Sequence, residues 1–269
     1  MKHPGPKRVL THIKHLENCI NKMKMIPATQ LRRNAVLLTL MSKALTLGRA
    51  ICLLVEKGFF TEAFGLSRTM IEIFFCVRYI ANQDTENRAI QYVDYNARVR
   101  QEWSTLTKKF YPTHPAASYE LDRDTVKTAQ KFKSKSSWTG HARHVKMIAS
   151  EPDLHEEEDP AIRDFDYEFT YFWTSHFVHA TVQGMDGHGL EIEKPFRVRS
   201  ERSHEQRYAR LALLNVVTSL VKIFVSAFRG MNEEQPGLLD SLPAVSVLFP
   251  NTPVFAGLSW FCSDGDTGK

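Results

Sequence analysis

Charged and polar residues set at helical spacing inside apolar segments are the first place to look for chemistry, because burying a charge is costly unless it is paired. Between Thr61 and Asn82 most positions are apolar, yet Arg68 and Glu72 stand four residues apart and Tyr79 follows two turns on. In a helix these three share one stripe. A second stripe, Tyr171, Ser175 and His179, runs at four-residue steps among Tyr167, Phe169, Phe172, Trp173 and Phe177. A third offers Arg88, Tyr92 and Tyr95 or Asn96.

Brought together, these residue types suit metal-independent RNA cleavage or nucleotide binding. His179 would take a proton from a 2′-hydroxyl, and Arg68 would stabilise charge on the phosphate with Glu72 orienting it; Ser175 completes the catalytic candidates. Tyr79, Arg88, Tyr92, Trp138 and Tyr171 are the candidates for holding the substrate. The basic segment from Lys131 to Lys146, with Phe132 and Trp138 interleaved, would attract phosphate and stack on bases. The alternative is a non-enzymatic interaction or structural protein in which Arg68 and Glu72 form an ion pair that fixes helix packing and His179 is a hydrogen-bonded core residue.

Sharper motifs are missing or unspecific. The Arg-x4–6-His spacing of some helical ribonucleases occurs at Arg199-x4-His204, Arg197-x6-His204 and Arg8-x6-His15, but so short a pattern arises by chance. Glu201-x-x-His204 falls in a charged segment and does not suggest a di-iron bundle. Glycine-rich nucleotide loops and His-Glu-x-x-His are absent from the sequence. The run His155-Glu156-Glu157-Glu158-Asp159 reads as a solvated acidic loop. Neither metal nor cofactor is expected.

The elements that must position these residues are helices. Apolar positions recur at helical spacing, and no proline interrupts the chain between Pro27 and Pro112. Helices are expected at about 8–25, 30–57, 60–82, 85–110, 118–132, 142–150, 160–183 and 203–229. Strand series and internal repeats are lacking, so the fold expected is all-α, a bundle of five to six long helices. One helical domain is assigned to residues 1–234, with its core at about 30–230. Beyond it, residues 235–269 carry prolines and glycines that suggest an irregular tail.

Over 269 residues, the chain is 43% hydrophobic and 24% charged, which excludes intrinsic disorder and fibrous classes. A net charge of +5 permits a polyanionic partner without demanding one. Cys19, Cys52, Cys76 and Cys262 form no Cys-x-x-Cys pair, which fits a reducing cytoplasm. An apolar leader is not visible near the N-terminus. Leu211 to Phe228 is apolar, but Asn215, Thr218, Ser219 and Lys222 interrupt it, so a core helix is expected there and no membrane contact. RNA or a nucleotide, a protein partner and a second copy of the chain remain the expected partners.

The string Leu66-Ser67-Arg68-Thr69-Met70-Ile71-Glu72 with Tyr79, followed by Tyr171-x3-Ser175-x3-His179, resembles a bacterial helical family known as domain of unknown function 5677. Trp138-Thr139-Gly140 sits where that family tends to carry a tryptophan. The resemblance covers roughly residues 30–230 and implies a helical fold. It also implies that Arg68, Glu72, Tyr171, Ser175 and His179 match the family's recurring polar positions, and it supplies no molecular function.

Overall fold

The computed structural model describes residues 5–22, 31–132, 137–140, 144–152, 165–178 and 205–232. The described residues are all-α, without strands, and form eight α-helices rather than five to six. Five are long: α1 (Pro6–Lys22), α2 (Leu31–Lys57), α3 (Phe60–Asn82), α4 (Thr85–Phe110) and α8 (Glu205–Asn232). Three are short: α5 (Arg123–Gln130), α6 (His144–Ser150) and α7 (Phe172–Val178). A 3-10 turn at Pro115–Ser118 precedes α5. The expected tail at 235–269 lies outside the described residues.

Helix α3 is the centre of the bundle because its apolar residues point in nearly every direction. It packs against α2, α4, α6, α7 and α8, and Met70, Phe75, Val77 and Ile80 are fully buried. Its most extensive packing is with α8. At Gly230 a methyl group would lie 2.7 Å from the Ala81 Cβ, so only a residue without a side chain lets the two backbones meet there.

Helix α8 contains the apolar Leu211–Phe228 stretch, and its polar interruptions have partners in the bundle. Asn215 Nδ2 donates to Ser67 Oγ of α3 at 2.9 Å, and the Lys222 ammonium pairs with Asp166. Helices α2 and α8 are both long and apolar enough to cross a membrane by length and composition. Here most of the apolar window of α8 is buried inside the bundle.

Between α3 and α4 the chain reverses through Gln83 and Asp84. Asp84 takes a left-handed conformation (φ 45°) that short polar residues tolerate. Its carboxylate accepts a hydrogen bond from Asn87 Nδ2 at 2.8 Å. At the start of α5, Asp122 is an N-cap, accepting from the Thr125 backbone N–H at 2.8 Å.

Of the helix expected at 160–183, residues 165–178 are described, and they are helical but not α-helix throughout. Phe165–Tyr171 forms a π-helical turn, which passes into α7. The physical reason lies in what the segment must reach. Asp166 serves Lys222 of α8, while Tyr171 serves Arg68 and Glu72 of α3. In an α-helix these two residues would point about 140° apart, whereas the wider turn of a π-helix brings them closer to one side. Tyr167 and Tyr171 then stack with ring centroids 5.4 Å apart and planes 17° apart, both against Phe75.

Candidate functional site

Arg68, Glu72 and Tyr171 form one closed cluster. Arg68 Nη2 donates to the Tyr171 hydroxyl at 2.7 Å, that hydroxyl donates to Glu72 Oε1 at 3.1 Å, and Arg68 Nη2 lies 3.1 Å from the same carboxylate oxygen. The guanidinium also sits 4.9 Å from the Tyr171 ring centroid. The cluster lies at the rim of the core, with the Arg68 side chain 20% exposed and that of Glu72 34%. Burial raises the Tyr171 phenol above its ordinary value, with Glu72 adding to the rise and Arg68 opposing it. Ser175 Oγ donates to the Tyr171 carbonyl at 2.7 Å, one turn back in the chain. His179 lies outside the described residues.

One turn further along α3 stands Cys76, whose thiol is pushed from near 9 up to about 12 by burial first and by the Glu72 carboxylate second. Such a thiol stays protonated and makes a poor nucleophile. His144 of α6 lies within the electrostatic reach of Glu72. Burial lowers the pKa of its imidazole despite that carboxylate.

Four of the five expected substrate-binding residues, Tyr79, Arg88, Tyr92 and Trp138, gather in a second cluster, while Tyr171 belongs to the first. Arg88 pairs with Glu151 at 2.7 Å, and the two side chains are only 11% and 14% exposed. The Arg88 guanidinium covers the Tyr79 ring at 3.7 Å and donates to the Tyr79 carbonyl. Glu151 also accepts from Asn82 at 3.0 Å and from Gln83 at 2.9 Å. Trp138 meets Tyr79 and Tyr92 edge to face, at 5.4 and 5.2 Å. Burial lifts the Tyr92 phenol to about 12.

The structure therefore divides the polar stripes between two clusters on α3 instead of gathering them at one interior centre. Arg68, Glu72 and Tyr171 come together; Tyr79, Arg88, Tyr92 and Trp138 come together about two turns away. The basic stacking surface expected around Phe132 and Trp138 is also corrected, because both rings are buried. Phe132 packs on Tyr95 at 5.5 Å and Trp138 on its two tyrosines, so neither ring is presented to a base. Lys131 pairs with Asp94 at 3.4 Å.

Glu151 and His144 were not among the sequence candidates. Glu151 stands a few residues before the His155–Asp159 run that reads as solvated, and His144 lies in a weakly patterned stretch. Lys222 had a visible signal, since a lysine in an otherwise apolar helix needs a carboxylate, and Asp166 supplies it. Among the described residues no group of three or more His, Cys, Asp or Glu side chains could hold a metal ion. Two surface clefts are lined by other residues: one by Arg98, Gln101 and Gln130, the other by Leu38, Ser42 and Lys43.

Fold and site together define an all-helical bundle protein whose central helix is tied to its neighbours by two polar-aromatic clusters. Both clusters are built from residues between Arg68 and Tyr171, inside the stretch that the family comparison covers. The chain belongs to the family of unknown function DUF5677, whose profile matches residues 34–194. Neither the curated proteins nor the solved structures contain a match to it.

Proposed function

We propose that this chain is a non-enzymatic helical interaction protein in which the Arg68–Glu72–Tyr171 cluster locks the π-helical segment and α7 onto α3. One observation carries the reading. The Tyr171 hydroxyl accepts from Arg68 and donates to Glu72, so the three groups serve one another rather than a ligand. Ser175 supports it, because its hydroxyl is engaged with its own helix. Burial also displaces the Tyr171 phenol upward, further from neutral pH.

A second reading, phosphate binding or RNA cleavage, has one observation in its favour: Arg68 Nε is buried without a hydrogen-bond partner. The test is incubation of the purified full chain with total RNA, with and without EDTA, together with calorimetric titration of nucleotides. Intact RNA and no heat of binding are expected. Cleavage or saturable binding that Arg68→Met abolishes, while the thermal transition survives, would overturn the proposal.

A further inference from the structure

The second half of α4 carries an apolar stripe that stays exposed among the described residues. Val99, Trp103, Leu106 and Phe110 are 47%, 58%, 52% and 61% exposed. Their spacing of four, three and four residues places them within one narrow face of the helix, the pattern of a coiled-coil seam. The helix is held elsewhere on its surface: Lys131 reaches Asp94, Tyr119 reaches Arg100, and Ser104 and Thr107 are buried. An aromatic side chain carries ~150–250 Å² of surface, so the stripe offers roughly 400–500 Å² of apolar area, near the largest patch usual for a monomer.

We infer that this face of α4 pairs with the same face of a second copy of the chain, the two helices running antiparallel. The register follows from the residues. An antiparallel seam sets Trp103 of one copy against Leu106 of the other and Val99 against Phe110, giving four layers related by a two-fold axis. The same register brings Glu102, which flanks the stripe, beside Lys109 of the second copy, and this opposite-charge pair occurs twice. Glu102 is half exposed and shares its carboxylate with Arg98 at 2.6 Å, and the Lys109 ammonium rests over the Phe110 ring, so both stand at the edge of the seam. A parallel pairing sets Glu102 against Thr107 and provides no such pair. Two stripes together bury about 800–1,000 Å² of apolar surface before their polar rims are added, close to the ~1,000 Å² that a specific interface must clear.

This inference deepens the interaction reading by naming a surface and an occupant. It is separable from the polar lock, since α4 residues 99–110 lie away from Arg68 and Tyr171. The experiment is sedimentation velocity of the full chain over roughly 1–100 µM, where mass action shifts the population with concentration. A species of twice the 30.9 kDa chain mass is expected to grow in. Trp103→Glu should weaken association roughly thirtyfold or more, the behaviour of a central aromatic anchor, with a thermal transition that matches wild type at concentrations where both are monomeric, because the side chain is exposed there. Glu102→Lys and Lys109→Glu should each weaken it roughly fivefold, and the double swap should restore it. A monomer throughout the range, or a dimer insensitive to Trp103→Glu, overturns the inference. Failure of the double swap to restore association overturns the antiparallel register. Binding of the monomer to anionic phosphatidylserine vesicles through Trp103, without dimerisation, would reassign the face to a membrane surface.

Discussion

Tyr171→Phe isolates the lock between α3 and the segment around α7. The substitution keeps the ring, and with it the stack on Tyr167 and the contact with the Arg68 guanidinium; it also leaves the direct Arg68–Glu72 pair. What disappears is one oxygen that accepts from a cation at 2.7 Å and donates to a carboxylate at 3.1 Å. A hydrogen bond to a charged group contributes about 1.5–3 kcal/mol where water is excluded. Here Arg68 and Glu72 keep one-fifth and one-third of their side-chain exposure, so water replaces much of what is lost. The expected destabilisation is therefore about 1–2 kcal/mol in total, a fall in melting temperature of roughly 2–6 °C for a chain of this size. Urea unfolding followed by circular dichroism measures it, and the dependence on denaturant should keep its slope while the midpoint moves. A midpoint equal to wild type would show that the hydroxyl ties nothing together. A double-mutant cycle with Arg68→Met should return a coupling of about 1 kcal/mol, and additive losses would refute the connection.

Glu151→Ala should cost more than Glu72→Ala, about 2–3 against about 1 kcal/mol, because it strands the better-buried Arg88 and removes the acceptor of Asn82 and Gln83; equal losses in chemical denaturation would contradict this. Gly230→Ala should destabilise by about 1–2 kcal/mol, since the added methyl meets Ala81 at 2.7 Å and the gain in helix propensity offsets only part of the clash; a stabilised variant would show that the crossing gives way. At high pH, the Cys52 and Cys76 thiols, both raised from near 9 to about 12, hold their protons longer in the folded state than in the unfolded chain. Stability should hold below pH 9 and fall from there to 12, less steeply in Cys52→Ala and Cys76→Ala; a flat melting temperature across that window would exclude the effect.

How much of this was legible in the sequence differs between residues for physical reasons. Helix α3 is readable because Arg68 and Glu72 interrupt a run of large apolar side chains, and buried charge demands partners. Tyr171 as that partner was within reach, since it shares a helical segment with a dense aromatic set. The π turn was not, because periodicity counting assumes one repeat throughout, and the residues that force the change, Asp166 and Tyr171, answer to two different helices. Trp138 shows the opposite failure. Its basic surroundings suggest an exposed stacking surface, but Tyr79 and Tyr92 cover it, and only tertiary packing reveals this. Glu151 was hidden by its acidic neighbours, since charge runs carry no signal of which member turns inward.

The π turn at Phe165–Tyr171 also bears on how this chain compares with its relatives through insertion and deletion. A π turn accommodates one residue more than an α turn, so excising a single residue there would let the segment close as ordinary α-helix. Asp166 and Tyr171 would then stand four residues apart, about 40° around an α-helix, and the chain on either side would keep its facing. A relative one residue shorter in this stretch can therefore keep both partners with ordinary α-helix. Alignments across it should place their gap by which residue meets Arg68 and which meets Lys222, not by matching residue types.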